Sequence, residues 1–473
     1  MKTGSSVASI PNLTPFLFLL TALAFLFWPD AIGLTTLTIT AAIAVPVALF
    51  CLAANPQVAI VGLLAASAVP RIFIEIMGLK ARPEHIISGL MICAIPFLWK
   101  KREQPVQWIW PDYLVLVYIA LTFFSSVFMS VAPGQTGKWA VQQVLAILPY
   151  FWLRVLITDR ARFRWAFRAL LVVGAITSAY AIVCFYSYIF FGTKFGVEVE
   201  QYGMDSGNIA ATYGFQFEAN ILGAYGAALS VMMLVMYLQE RRRSFLIGGV
   251  FCGLVTMAVS LSRAAVGAAV MAFLLAGFFA WRRGLLDRKA VSNIAIASLA
   301  AALLVGPFVF QHYAERFSTV ELSDPTSDPN TLTRAVQTIS AIDEVAKHPL
   351  FGGGTASFQL AFDWQNFGTE WQDQGWISNT ELRILHDTGI AGLIVFTVFL
   401  FSLAYRSRKV LKREFSAELL ALLLSGVVYS ITFQVTEGTL LAFPWVQLGL
   451  IGCAVSLMGR QDKQEKPLQA AAI

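Results

Sequence analysis

From near its start to near its end the chain repeats one pattern: an apolar run of about twenty residues, then a polar break that carries charge. A run of that length crosses the hydrocarbon core of a bilayer as an α-helix. Inside a bilayer only helices and closed barrels satisfy their own backbone. Such runs lie near 14–29, 33–54, 57–78, 84–99, 112–131, 136–157 and 165–192, then near 215–238, 244–261, 264–281, 290–311, 388–405, 416–435 and 440–458. They predict an all-α polytopic membrane protein of about fourteen transmembrane helices. The first and fourth runs are short, and Pro70-Arg71 interrupts the third. The start of the chain lacks the charged head and small-residue cleavage site of a removable signal, so the first run is expected to remain. Composition agrees: 13% of the 473 residues are charged, against about 25% in soluble domains.

The net charge of +6 would by itself admit a nucleic-acid partner. The basic residues, however, cluster between the runs, at Lys100-Lys101-Arg102, Arg160/Arg162/Arg164/Arg168, Arg241-Arg242-Arg243, Arg282-Arg283-Arg288-Lys289 and Arg406/Arg408/Lys409/Lys412/Arg413. Cytoplasmic loops collect Lys and Arg in this way, and all five clusters share one side if both termini are cytoplasmic. The charge therefore speaks for a lipid bilayer and against nucleic acid. The 5 cysteines sit in apolar runs without metal-ligand spacing, and 4 histidines leave little room for a metal centre. Neither metal nor cofactor is expected.

Two outer segments exceed what a connector needs, 193–214 and 312–387, the second lying between the eleventh and twelfth spans. Long loops without a structural task are usually functional. Within the second, TRAVQTISAIDEVAKH has helical apolar spacing and predicts an amphipathic helix ended by Pro349 and the glycines after it. Three parts follow: membrane helices over 1–192, a core with both outer loops over 193–405, and closing helices with a tail over 406–473.

Charges at the ends of spans are costly and mark candidate sites. Arg263, in SLSRAAVG between two apolar runs, offers a planar fork that suits phosphate; a snorkelling interfacial cation is the plainer reading. Glu218, in YGFQFEANILGAYG, suits a general base, a sugar-binding carboxylate or the partner of an arginine. In SNTELRILHDTGIAG, Asn379, Arg383, His386 and Asp387 share one helical face. That face either lines a cavity or is a capping and salt-bridge surface in which Arg383 pairs with Asp387. Arg334 on the loop helix reads as a binding or loop-ordering cation. Trp364, Trp371 and Trp376 fit sugar stacking or an interfacial belt. The FGGG after Leu350 lacks the Lys-Ser/Thr ending of a nucleotide loop, which excludes an ATPase.

These motifs resemble a family. HPLFGGGTASF followed by SNTELRILHDTGIAGLIVF is similar to the carboxy-terminal signature of the bacterial O-antigen ligase and Wzy-type polysaccharide polymerase superfamily, and SRAAVG and YGFQFEANILGAYGA resemble its two earlier landmarks. The resemblance covers roughly residues 205–405 and implies a multi-pass glycosyltransferase of the bacterial inner membrane, acting at its periplasmic face. Its implied donor is a glycan on undecaprenyl pyrophosphate; an acceptor glycan hydroxyl attacks the anomeric carbon and the lipid pyrophosphate leaves. Arg263 matches the family's pyrophosphate arginine, and Arg334 matches the arginine ahead of the Pro-Leu-Phe-Gly element. The match departs at two places. Ser378, followed by Asn379, stands where ligases carry a histidine, and serine is a poor base unless activated. Ala211-Thr212-Tyr213 precede Gly214 where an arginine is frequent. Both departures favour a polymerase of repeat units for O-antigen or exopolysaccharide over a lipid A-core ligase, with His386 or Glu218 supplying the base and Arg334, Ser378, Asn379 and Arg383 binding substrate. A chain-length regulator is a candidate partner of the outer loops. A lipid-linked glycan transporter is the reading from a different class, but transporters place polar groups near the midplane and show internal repeats, whereas here polar residues gather at span ends.

Overall fold

The computed structural model describes residues 48–49, 51–76, 79–100, 105–201, 208–240, 244–318, 329–361 and 376–459. Its order is α1 (Pro56–Ser67), the hairpin β1 (Ile74–Ile76) and β2 (Leu79–Ala81), α2 (Pro83–Lys100), α3 (Trp110–Phe124) running into a π-helical stretch (Ser125–Met129), α4 (Pro133–Leu156) and α5 (Arg160–Phe191). A second hairpin, β3 (Val197–Gln201) and β4 (Asn208–Thr212), leads to α6 (Ala219–Gln239), α7 (Ser244–Val259), α8 (Arg263–Arg282) and α9 (Arg288–Ser318). Then come α10 (Pro329–Lys347), the single turn α11 (Phe358–Ala361), α12 (Thr380–Arg413), α13 (Ala417–Thr432) and α14 (Ala442–Met458).

Among the described residues, 7 helices are long and apolar enough to cross a membrane, and α1, α7, α13 and α14 are shorter apolar helices. The architecture is that of an all-α polytopic membrane protein. The count of fourteen spans is not reproduced. The runs at 14–29 and 33–54 fall largely outside the described residues, and the third run is a helix of only 12 residues. It stops at Ser67, and the chain then turns at Pro70-Arg71 into the β1–β2 hairpin. The amphipathic loop helix is present as α10.

α6 is the axis of the bundle, with every residue of its apolar window buried. Lipid tails give helices no hydrophobic reason to associate, so close packing of small residues does the work. A Cβ on Gly253 of α7 would stand 2.6 Å from the Gly226 carbonyl oxygen of α6. α8 turns Ala265, Ala268, Ala269, Ala272, Ala276 and Ala280 inward, while Leu274, Phe278 and Trp281 face outward.

The two ends of the bundle differ in charge. At one end the Arg160 guanidinium forks onto Glu414 (2.6 and 2.8 Å), and Arg168 meets Glu240 at 3.3 Å. Arg154 is buried there, donating to both Asp112 oxygens (3.1 and 3.0 Å), to Ser456 Oγ (2.7 Å) and to the Gly452 carbonyl (3.0 Å), and also to the Gln107 carbonyl. Arg160 and Arg168 of the basic clusters, among the described residues, lie at this end. The starts of α2, α6, α8 and α12 and both hairpins belong to the other.

Candidate functional site

α12 is two helices in series. At Gly389 the backbone takes φ 68°, ψ −171°, a conformation essentially restricted to glycine. The break takes i→i−4 partners from the carbonyls of His386 and Asp387 and from the amides of Ile390 and Ala391. The segment 349–354 supplies all four replacements. The Gly353 and Gly354 N–H groups donate to the His386 and Asp387 carbonyls (2.9 and 3.1 Å), and the Ile390 and Ala391 N–H groups donate to the Pro349 and Leu350 carbonyls (2.9 and 3.2 Å). Ser125 Oγ adds a bond of 2.6 Å to the Asp387 carbonyl. Glycine on both sides permits the approach. A Cβ on Gly389 would lie 2.3 Å from the Leu350 carbonyl, and one on Gly352, at φ 71°, would lie 2.5 Å from the His386 carbonyl oxygen.

This docking fixes the first piece of α12, where the charges lie. The Arg383 side chain is 2% exposed; its Nε stands 3.4 Å from Asp387 Oδ2 and its Nη1 3.4 Å from Glu437 Oε2. The guanidinium lies 4.9 Å over the Trp376 ring, which Trp139 meets edge-on at 5.4 Å. Nη1 and Nη2 have no hydrogen-bond partner among the described residues. His386 is buried with its Nδ1 3.0 Å from Asp387 Oδ1 and Phe358 edge-on at 5.5 Å. Asp387 Oδ2 accepts the Ala356 N–H at 3.2 Å. One oxygen of Glu437 is tied to its own turn by the Thr439 N–H (2.5 Å), the Thr439 hydroxyl and the Leu440 N–H (3.2 Å), leaving the other toward Arg383.

Glu218 occupies the N-cap of α6, and its Oε2 accepts the Thr436 hydroxyl at 2.9 Å. It keeps an exposed face although protein surrounds it. That crowding desolvates the carboxyl and pushes its pKa up, with the Glu437 and Glu198 carboxylates adding to the rise, while the Thr436 hydroxyl and the Arg334 guanidinium oppose it. Exposure governs reach and crowding governs titration, so both hold for a side chain with one face open. Glu218 is thus an accessible carboxyl poised to hold a proton above the ordinary range.

The helices before residue 192 contribute a further wall. Arg82, buried at the start of α2, stands 3.1 Å from Glu84 Oε1 and donates to His85 Nε2 (2.9 Å) and to the Leu440 carbonyl (2.7 Å). Since arginine only donates, His85 Nε2 is the acceptor. Arg82 also lies 5.3 Å over the Phe217 ring. Arg71 lies 3.4 Å over the Tyr213 ring and donates to the Phe217 carbonyl at 3.0 Å. The segment before Glu218 and the turn holding Glu437 are both anchored here.

The structure brings Arg383, His386, Asp387 and Glu218 to one end of the bundle, with Arg334 acting electrostatically on Glu218. The Arg383–Asp387 pair read as the plainer alternative is present. Arg263 opens α8 behind the Ser262 cap. That cap packs on Gly223 of α6, five residues or about 7–8 Å along the axis from Glu218. Asn379 caps α12 through the Leu382 N–H (2.8 Å) and holds Gln434 Oε1 at 2.9 Å. Ser378 Oγ donates to Gln337 Oε1 of α10 at 2.8 Å. Trp364 and Trp371 lie outside the described residues. The sequence reading missed Arg82, Glu84, His85 and Glu437, although ARPEHII opens an apolar run and VTEGTL separates two. The rule that singled out Arg263 applies to both.

Residues 248–397 match the family model described as O-antigen ligase, an interval holding Arg263, Arg334, Arg383, His386 and the broken helix. No match was found among curated proteins.

Proposed function

We propose that this chain, whose residues 248–397 match the O-antigen ligase family model, is a polymerase joining lipid-linked repeat units into O-antigen or exopolysaccharide. The family match and the apolar helices support a polytopic membrane enzyme of the lipid-linked glycan transferase type. In the finer reading the donor is a glycan on undecaprenyl pyrophosphate in the bacterial inner membrane. In this reading both termini are cytoplasmic and the site opens on the periplasmic side.

The observation that carries this reading is Arg383, a buried guanidinium whose Nη groups make no hydrogen bond among the described residues, and which pairs with Glu437 next to the Thr436 that holds Glu218. Those donors suit the oxygens of a departing pyrophosphate, with Arg263 and Arg334 adding positive charge at the mouth. Glu218 is the general base: it takes the proton of the acceptor hydroxyl as that oxygen attacks the anomeric carbon and the C–O bond to pyrophosphate breaks. His386 is the weaker candidate, since it is buried and engaged with Asp387. Ser378 favours polymerase over ligase, because its hydroxyl is engaged by Gln337 and no titratable group stands at the ligase histidine position.

Deleting the gene and separating cell-surface and secreted glycans on gels tests the choice. Single repeat units in place of long chains support polymerisation. Long chains retained on undecaprenyl pyrophosphate mean ligation to lipid A-core and overturn it.

A further inference from the structure

α8 and α9 are consecutive in the chain, yet they diverge: α8 packs on α6 and α13, and α9 on α7. Between them lies a slot of about 350 Å³, within the ~300–1,000 Å³ typical of small-ligand sites. Its floor is Leu234, Leu238 and Val250, all buried. Phe273 and Gly277 of α8 form one wall, and Val291 and Ser298 of α9 the other. A Cβ added to Gly277 would meet nothing within 4 Å, so that wall is open. The slot is almost wholly apolar and lies in the half of the bundle nearest the basic end.

The mouth is cationic. The connection from 282 to 289 reads RRGLLDRK, with Arg282, Arg283, Arg288 and Lys289 all exposed. Asp287 is its one acid, and Asp287 caps α9 by accepting the Ala290 N–H at 2.7 Å. Arg288 and Lys289 thus stand at the N-terminus of the 31-residue α9 beside the Asp287 carboxylate, and four cations against that one acid leave the connection net positive. Like charges on a helix N-terminus are unfavourable, and a bound anion offsets them.

We propose that this slot holds one acyl chain of an acidic phospholipid whose phosphate headgroup is bound by the 282–289 connection. Charge complementarity selects the headgroup, and the apolar slot between two diverging helices selects a chain. Basic pockets between membrane helices on the cytoplasmic side bind anionic headgroups in this way. The site lies at the opposite end from Glu218 and Arg383 and rests on the orientation proposed above, not on the reaction.

The test uses the full chain in nanodiscs containing phosphatidylglycerol with a diazirine near the middle of one tail, or the phosphatidylcholine equivalent, with crosslinks mapped by peptide mass spectrometry. Labelling by phosphatidylglycerol should concentrate on residues 273–298 and exceed labelling by phosphatidylcholine. Each of Arg282→Gln, Arg283→Gln and Arg288→Gln should lower it about fivefold, the contribution of one basic side chain at a membrane surface. Gly277→Trp should abolish it by filling the slot. If that variant fails to assemble, the three exposed arginine variants still decide. Equal labelling by the two lipids, labelling spread evenly to Leu299, Leu303 and Phe310, or displacement of the probe by undecaprenyl phosphate would overturn the proposal. The readout involves no glycan, so its failure is distinct from failure of the polymerase reading.

Discussion

Gly389→Ala is the most informative single substitution, because two responses are open to it and they differ in what they destroy. Retaining φ 68°, ψ −171° costs alanine about 1–3 kcal/mol, and its methyl would sit 2.3 Å from the Leu350 carbonyl. The loop would have to retreat, giving up four backbone hydrogen bonds worth about 0.5–1.5 kcal/mol each. The cheaper response is for residue 389 to become helical. Ile390 and Ala391 then recover the His386 and Asp387 carbonyls within α12, and only the docking of 349–354 is lost. A bias of about 3 kcal/mol against docking leaves roughly 1% of molecules docked. The variant should therefore fold with full helix content and lose polymer synthesis about a hundredfold. Hydrogen exchange followed by mass spectrometry should show fast amides at Gly353 and Gly354 where the parent protects them. Gly306→Ala is the control: a Cβ there meets nothing within 4 Å, so it should be neutral or gain about 0.5–1 kcal/mol. Slow exchange across 349–354 together with parental polymer yield in Gly389→Ala would refute the argument.

Arg383→Lys should keep thermal stability near the parent's while restoring little polymer, since an ammonium lacks the planar fork. Arg383→Ala should also lose about 3–5 kcal/mol, because Asp387 and Glu437 are left without their cation; scanning fluorimetry and glycan gels separate the two effects. Asp112→Asn should cost a similar ~3–5 kcal/mol by stranding buried Arg154, yet leave activity per folded molecule unchanged, because that network lies at the far end. For Glu218, whose carboxyl is raised by its surroundings, the stability contribution is present below the ordinary carboxylate range and lost as pH rises through the raised value. Glu218→Gln should remove that alkaline loss in a melting series. The acidic limb of the parent's rate profile should lie above the ordinary range of ~4.3, and Glu218→Gln should abolish both limb and rate.

The spans were legible because length and apolarity are what a bilayer demands, and the basic end was legible because Lys and Arg mark it. α10 was legible from its periodicity alone. The third run misled because apolarity was counted across Pro70 and Arg71, where the backbone leaves the helix for a hairpin. Of the two readings open for the polar face of α12, the Arg383–Asp387 pair is present, because four residues of separation put both side chains on one face. Its break at Gly389 was invisible. GIAG reads as tolerance of close approach, and only the distant Pro349–Gly354 segment reveals that the approaching backbone enters the helix's own hydrogen-bond ladder. Glu437 and Arg82 were passed over for a different reason. Each lies in a short turn between apolar runs, and its importance comes from long-range contacts, to Arg383 for one and to Leu440 for the other.

The two buried arginines show where this bundle leaves room for a ligand. Arg154 and Arg383 bear equal charge and are buried to the same degree, with side chains 2% exposed. Arg154 finds an acceptor for every nitrogen: both oxygens of Asp112, Ser456, and the carbonyls of Gly452 and Gln107. Arg383 finds its carboxylates only at 3.4 Å and leaves Nη1 and Nη2 without hydrogen bonds among the described residues. An unmet donor on a buried cation costs more than the ~1–3 kcal/mol of a neutral one. A fold able to satisfy one guanidinium completely bears that cost at the other where a bound group supplies the acceptors. Functional sites are where local rules are broken in this way, and the oxygens of a lipid-linked pyrophosphate are the acceptors that the proposed reaction brings.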